Sequence, residues 1–114
     1  MVTPVNFVAQ TPSLQGGVLS LVACGVSGAD TIPLMVGIQN ILIVENSDTV
    51  AHTVSLNTLP DQWGFTPTAT YIVPAASGTV PGAYMVMLQA SEFGTLPVLS
   101  YDNPIPLSAA LIQI

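Results

Sequence analysis

The sequence predicts an all-β protein built as a single antiparallel β-sandwich. Short β-branched or aromatic runs alternate with turn residues about every 8 to 12 positions, a spacing typical of sandwiches and barrels. Ten prolines and nine glycines are spread through the 114 residues, which leaves no room for a long helix. Because no segment repeats and no linker divides the chain, this length predicts one domain with one core.

The first fifteen residues are predicted to form an extended N-terminal arm, with the sandwich domain occupying residues 16–114. Pro4 and Pro12 cannot donate to a strand ladder, so regular pairing is limited here. Two interpretations of the arm stay open. It is either a frayed terminus or a segment lying on a neighbouring protein, in which case Phe7 is the anchoring side chain.

Two strands are predicted next. Residues 18–24 form a core strand that begins after a Gly-Gly pair, and residues 31–36 form a second strand that Pro33 restricts to a sheet edge or a bulge. The turn between them comes close to the nucleophile motif Gly-x-Ser-x-Gly. Ala29 stands at its last position, however, and no helix follows, so we interpret this segment as a turn without catalytic chemistry.

Residues 40–56 are the stretch around which the rest of the chain is organised, and their pattern predicts a β-hairpin. Residues 41–44 are apolar on both faces, as in a central strand. Residues 53–56 alternate polar and apolar with period two, which places Val54 and Leu56 inward. The residues between are turn formers whose short side chains bond to nearby backbone.

A long loop and four further strands complete the predicted sandwich, which we expect to be of jelly-roll or immunoglobulin-like kind. The loop, residues 57–70, carries Trp63 and Phe65 on either side of a glycine. These aromatics either cap the core or contact a partner. In the strand at 83–88, Tyr84, Val86 and Leu88 are predicted on one face and Met85 and Met87 on the other. The remaining strands are predicted at 71–73, 97–101 and 107–114.

The charge balance excludes several classes of partner. The chain has six acidic residues, no lysine and no arginine, for a formal charge of −6. Nucleic-acid binding and attraction to an anionic membrane both need cationic side chains, so neither is expected. Mean hydropathy is high at +0.67, yet no apolar run reaches the roughly 18 residues of a membrane span. Because the N-terminus lacks a basic segment, a secretory signal is not expected either.

No metal, cofactor or catalytic site is predicted. Cys24 is the single cysteine and is interpreted as a small buried hydrophobe. His52 is the single histidine; its strand context is similar to the first copper ligand of cupredoxins, but a copper site needs a second histidine and a later cysteine. We therefore interpret His52 as a strand residue. The aspartates in apparent turns are interpreted as solvated, namely Asp30, Asp48, Asp61 and Asp102.

The composition predicts that much of the surface is covered by other protein. Edge strands expose backbone donors and acceptors that proteins commonly protect with lysine, which this chain lacks. Only 5% of the residues are charged, so an isolated monomer would present an unusually apolar surface. We expect an oligomer or a lattice, with Phe7, Trp63 and Phe65 as candidate contact residues.

Five short motifs recur at predicted turns and strand ends: Leu-Gln-Gly-Gly at 14–17, Gly-Ala-Asp-Thr-Ile at 28–32, Val-Glu-Asn at 44–46, His-Thr-Val at 52–54 and Val-Pro-Ala at 73–75. In this order they resemble the motifs of small β-sandwich head decoration, or cement, proteins of tailed bacteriophages, and the resemblance covers about residues 14–114. The resemblance implies a non-enzymatic virion protein on the capsid exterior, made in the host cytoplasm, whose partners are itself, as a homotrimer, and the major capsid protein.

Two functional hypotheses follow from the sequence. The first is a capsid decoration protein that clamps neighbouring capsid subunits by adding buried area across their joints. The second is a metal-free binding module of cupredoxin-like or immunoglobulin-like fold. A third possibility, an enzyme, has no supporting signature in the sequence.

Overall fold

The computed structural model describes residues 3–11, 19–60 and 63–114, and these residues form nine strands in two packed sheets. Strands account for 45% of the chain and helix for 4%, which confirms the nearly all-β prediction. The arrangement is consistent with a β-sandwich. The elements are β1 (Ala9–Gln10), β2 (Val22–Ala23), β3 (Asp30–Thr31), β4 (Asn40–Asn46), β5 (His52–Asn57), β6 (Thr68–Val73), β7 (Gly82–Leu88), α1 (Ala90–Phe93), β8 (Val98–Tyr101) and β9 (Leu107–Gln113).

The strands pair in a nested order. β2 pairs with β9, β3 with β8, β4 with β7 and β5 with β6, always antiparallel. Pairing of β4 with β9 and of β5 with β8 joins these ribbons into sheets. The larger sheet has the order β1-β9-β4-β7, with β2 also on β9, and the smaller sheet has the order β3-β8-β5-β6. Every connection from β2 to β5 therefore crosses between sheets.

The predicted hairpin at 40–56 is wrong, although both of its strands exist. β4 lies at the centre of the larger sheet, as its two-sided apolar pattern predicted, but β5 lies in the smaller sheet. The two strands have buried inner side chains, Leu42 and Val44 on β4 and Val54 and Leu56 on β5, all within one core cluster. Packing the inner side chains of β4 against those of β5 across two sheets removes more apolar surface from water than pairing the two strands side by side in a hairpin would.

The described part of the N-terminal segment belongs to the sandwich, and an extended arm is not shown. Phe7 is 4% exposed and lies in the core cluster. Its N–H donates to the carbonyl of Thr31 at 2.9 Å, and β1 adds a parallel strand to β9. Phe7, predicted to contact a partner, is thus an interior residue. The predicted boundary between residues 15 and 16 lies outside the described residues.

Asp30 is a fully buried carboxylate, so its interpretation as a solvated turn residue is wrong. It accepts hydrogen bonds from the N–H groups of Val5, Gly25 and Val26 and from the Tyr101 hydroxyl, at 2.7–2.8 Å. Burial alone would raise the pKa of Asp30, but these donors outweigh it and hold the pKa below 3.8. The carboxylate therefore joins the N-terminal segment, the β2–β3 crossing and β8.

The other predicted elements differ mainly in length. The two early strands shorten to Val22–Ala23 and Asp30–Thr31, while the strand predicted at 71–73 begins at Thr68. The assignment of faces on β7 is confirmed, because Leu88 is buried whereas Met85 and Met87 are exposed. Cys24 is buried, as predicted, and burial raises the pKa of its thiol to about 11.

Candidate interaction surfaces

The outer face of the larger sheet is apolar across β9, β4 and the edge strand β7. The register places Met87 beside Ile41 and Ile41 beside Ile112; one row further along, Ile43 lies between Met85 and Ala110. These six residues alternate with the core-facing side chains of the same strands. We call them the apolar face. Met85 and Met87 stand out from it at 68% and 62% exposed, whereas Ala110 is 2% exposed.

Rows of mixed polarity border the apolar face at both strand ends, and each contains a polar residue on or next to β4. At one end the register aligns Ala83, Glu45 and Ser108. At the other end Gln39 exchanges two backbone hydrogen bonds with Ile114, at 3.2 and 3.0 Å, and Gln89 follows β7. An apolar centre with a polar margin is the usual anatomy of a protein–protein interface. Glu45 is the one acidic residue within these rows.

The outer face of the smaller sheet is chemically different. Its cross-strand pairs are Thr53 with Ile72, Ser55 with Thr70, and Ser55 with Ser100. Hydroxyl side chains of serine and threonine suit an exposed strand surface because they fit the pleat and remain hydrated. We call this surface the hydroxyl face. Ile72 and Val98 are its exposed large apolar side chains.

One end of the sandwich concentrates exposed apolar side chains. β7 and β9 finish at this end, because Asn40 aligns with both Leu88 and Gln113. β5 finishes there too, because Leu59, just after it, is hydrogen-bonded to Glu92, just after β7. Trp63 and Phe65 lie there on the β5–β6 loop at 73% and 69% exposed. We call this surface the apolar end, and its exposed apolar residues are Met35, Val36, Ile38, Leu59, Trp63, Phe65, Leu96 and Ile114.

Local contacts hold part of the apolar end in place. The Leu59 N–H donates to the carbonyl of Glu92 at 2.8 Å, which fixes the start of the β5–β6 loop against α1. Thr58 donates to the carbonyl of Pro67 through both its N–H and its hydroxyl, at 2.9 Å each, which closes the loop at its base. A cleft of about 610 Å³ opens beside Met35, Ile38 and Ile114.

The opposite end carries a cluster of one histidine and two aspartates. The two nitrogens of His52 face different carboxylates: Nε2 lies 2.8 Å from Asp48 Oδ2, and Nδ1 lies 3.1 Å from both oxygens of Asp102. Asp48 comes from the β4–β5 turn and Asp102 from the turn after β8. Because ionised carboxylates only accept hydrogen bonds, both ring nitrogens donate when His52 is protonated. The interpretation of His52 as a simple strand residue is therefore incomplete.

Titration of this cluster follows from its contacts. The hydrogen bond to Asp48 raises the pKa of His52 above 6.5, against a smaller lowering by desolvation. The same bond lowers the pKa of Asp48 below 3.8. For Asp102, desolvation raises the pKa, but hydrogen bonds from the Thr53 backbone and His52 outweigh it and leave the pKa lowered. When His52 is protonated, it forms an ion pair with each of the two ionised aspartates.

Within the described ranges, no group of three histidine, cysteine, aspartate or glutamate side chains could hold a metal ion. The structure does not bring the three predicted contact residues together, because Phe7 is interior while Trp63 and Phe65 lie at the apolar end. Sequence reasoning missed the apolar face. The sequence offered one signal of this face, namely the prediction that Met85 and Met87 point away from the inner side of their strand.

Among the described residues, no helix is long and apolar enough to cross a membrane. No protein-family model, curated protein or solved structure matches the chain significantly. The function must therefore be argued from the surfaces described above.

Proposed function

We propose that this chain is a virion structural protein, a capsid decoration protein that binds the outer capsid lattice of a tailed bacteriophage and stabilises it. The observation that carries the proposal is the apolar end. Eight large apolar side chains are exposed there, two of them aromatic, in a chain with no lysine or arginine. Such a surface favours burial against another protein and contributes little to binding nucleic acid.

The strand order supports the same proposal. Nested pairing of β2 with β9, β3 with β8, β4 with β7 and β5 with β6 is the pairing typical of an eight-stranded jelly roll, with β1 as an additional strand. Viral capsid domains are among the proteins that use this architecture. Because jelly rolls also serve lectins and cupins, the fold alone does not determine function, and the proposal depends on the surface.

The proposed mechanism is burial of apolar area across joints between capsid subunits. Trp63 and Phe65 are the proposed anchors, since aromatic side chains dominate the energetics of protein contacts. Each square ångström of apolar surface removed from water contributes about 25 cal/mol, less the costs of association. A decoration protein seated across a joint therefore opposes the separation of the subunits on either side.

The proposal is a non-enzymatic one, and the His52 cluster supports this. A general base needs a free nitrogen lone pair near its substrate. Both nitrogens of His52 instead face carboxylates, and the ring is almost fully buried. The cluster therefore fits a structural role, in which it joins two turns.

The test is cosedimentation with capsids assembled without the chain, from the major capsid protein of the virus that encodes it. We expect the wild-type chain to pellet with them and the double variant Trp63→Ser/Phe65→Ser to lose most binding. The matched control is Val50→Ser/Ile105→Ser, which removes two exposed apolar side chains from the opposite end. Failure of the wild type to pellet, or equal losses for both variants, would contradict the proposal.

A further inference from the structure

The apolar face is the outer side of the larger sheet, whereas the apolar end lies at the ends of the strands. A partner seated on the apolar end would therefore not bury the apolar face. We propose that it packs against the same face of a second copy, about a two-fold axis that runs across the strands between Ile41 and Ile43. The inference does not depend on capsid binding, because it concerns the isolated chain.

The rows of the apolar face complement one another under this axis. The row of Met85, Ile43 and Ala110 faces the row of Met87, Ile41 and Ile112 of the second copy. Methionine then meets methionine, which is the side chain best able to adapt its shape. Ala110 lies opposite Ile112 of the second copy, but at 2% exposed it adds almost no contact area, so the methionines and isoleucines form the contact. Any patch that binds itself in this way is isologous and produces a closed dimer.

Charge decides which two-fold axis is used. An axis parallel to the strands and passing through β4 would place Glu45 against its own copy, with two like charges in contact. The axis across the strands places Glu45 over Gln39 of the second copy, because the border rows exchange places. A carboxylate can accept hydrogen bonds from the Gln39 amide. This arrangement avoids carboxylate repulsion in a chain that has no cationic side chain except protonated His52.

The size of the face sets the strength of the pair. The apolar face and its two border rows, four rows on three strands, cover on the order of 400 Å² of each copy, from the usual strand spacing and rise. A stable interface buries about 800 Å² per partner, so the dimer belongs to the weak, reversible class. We therefore expect monomer and dimer to exchange in solution.

Sedimentation equilibrium on the purified full chain tests the proposal. We expect a concentration-dependent monomer–dimer equilibrium that changes little with salt, because the centre of the contact is apolar. Met85→Thr/Met87→Thr should weaken the dimer about tenfold or more, through lost apolar burial. Ile72→Thr/Val98→Thr, the matched double variant on the hydroxyl face, should leave the equilibrium unchanged.

A charge variant tests the axis itself. Gln39→Lys places an ammonium group over Glu45 of the second copy, twice in each dimer, and should strengthen dimerisation about fivefold at low salt. Adding Glu45→Gln should remove that gain. Ser55→Lys changes the net charge equally but lies on the hydroxyl face, so it should give no gain.

Four results would overturn the proposal. The chain could remain monomeric at every concentration, or it could form trimers, as the resemblance to decoration proteins implies. The hydroxyl-face double variant could weaken association as much as the methionine variant. Finally, Ser55→Lys could strengthen association as much as Gln39→Lys, which would assign the effect to net charge. Because capsids are absent, none of these results bears on capsid binding.

Discussion

The two outer faces of the sandwich differ although the inner faces beneath them are alike. The inner faces are lined by leucine, valine and isoleucine that belong to one core cluster. Outside, the larger sheet presents methionine and isoleucine, whereas the smaller sheet presents threonine and serine. The hydroxyl face shows that an exposed sheet of this fold can be polar. The apolar face is therefore not a requirement of folding.

The comparison separates residues that support the fold from residues available for contact. On each strand, neighbouring residues point to opposite sides, so a shift of one position moves a substitution from the core to a surface. Stability and association should accordingly respond to different residues of the same strand. The predictions below are ordered from the largest expected effect to the smallest.

Asp30→Ala should have the largest effect on stability, because Asp30 joins the N-terminal segment, the β2–β3 crossing and β8. It leaves three backbone N–H groups and the Tyr101 hydroxyl without their acceptor in a buried site. We expect the free energy of unfolding to fall by about 5 kcal/mol or more, measured by urea denaturation, because each of the four buried donors loses about 1–3 kcal/mol. Tyr101→Phe removes one of the four donors and should cost only about 1 kcal/mol. Equal losses for the two variants would contradict this account of Asp30.

Leu42→Ala and Ile43→Ala test the two sides of β4 with adjacent residues. Leu42 is 1% exposed in the core, so its truncation should lower the free energy of unfolding by about 2–5 kcal/mol. Ile43 is partly exposed on the apolar face, so its truncation should cost the monomer about 1 kcal/mol or less. Denaturation at a concentration below that of dimer formation measures both. A reversed order would show that the faces are assigned to the wrong sides.

The His52 cluster predicts a stability maximum in mildly acidic solution. The pKa of His52 is raised above its unfolded value of 6.5, so its contribution is complete below that pH and is lost as pH rises through the folded pKa. The pKa values of Asp48 and Asp102 are lowered below 3.8, so their contribution is present above that pH and is lost as pH falls through the folded pKa values. Asp30 adds to the loss on the acid side.

Thermal unfolding across a pH series measures this maximum. His52→Gln should remove the decline between pH 6 and 8 while keeping most of the decline on the acid side, because Asp30 still titrates. A wild-type melting temperature that rises between pH 6 and 8 would contradict the role assigned to the cluster.

The two surface double variants should have the smallest effect on folding. Met85→Thr/Met87→Thr and Ile72→Thr/Val98→Thr each replace exposed side chains, so each should change the free energy of unfolding by less than about 1 kcal/mol. Only the methionine variant should lower the binding of a hydrophobic fluorescent dye, because only it interrupts a continuous apolar surface. Equal loss of dye binding in both variants would remove the distinction between the faces.

Much of the fold was predictable from local patterns, because strand periodicity and turn residues are local signals. The two-sided apolar pattern of residues 41–44 identified β4 as central, and the alternation in 83–88 assigned the sides of β7. Which strands pair with one another could not be predicted from local patterns. A turn at 47–51 fits a hairpin and a crossing between sheets equally well. The crossing is favoured only because it lets the inner side chains of β4 and β5 pack against each other in the core.

The candidate surfaces were predictable only in part. The aromatic loop residues Trp63 and Phe65 were identified because large aromatics in a polar loop are conspicuous, and both are exposed. Phe7 was not distinguishable from them, since its burial depends on the distant Thr31 and β9. The contacts of His52 and Asp30 with residues far along the chain were hidden for the same reason. The apolar face arises only when three non-consecutive strands are aligned in register.

The most direct test of the central claim is a dilution series followed by nuclear magnetic resonance, with the backbone amides and the methionine methyl groups assigned. The account predicts concentration-dependent shifts at Ile41, Ile43, Met85, Met87 and Ile112, and unchanged signals at Thr53, Ser55 and Thr70. Shifts that cluster on the hydroxyl face, or signals that remain constant on both faces at every concentration, would contradict the claim that the apolar face is a contact surface.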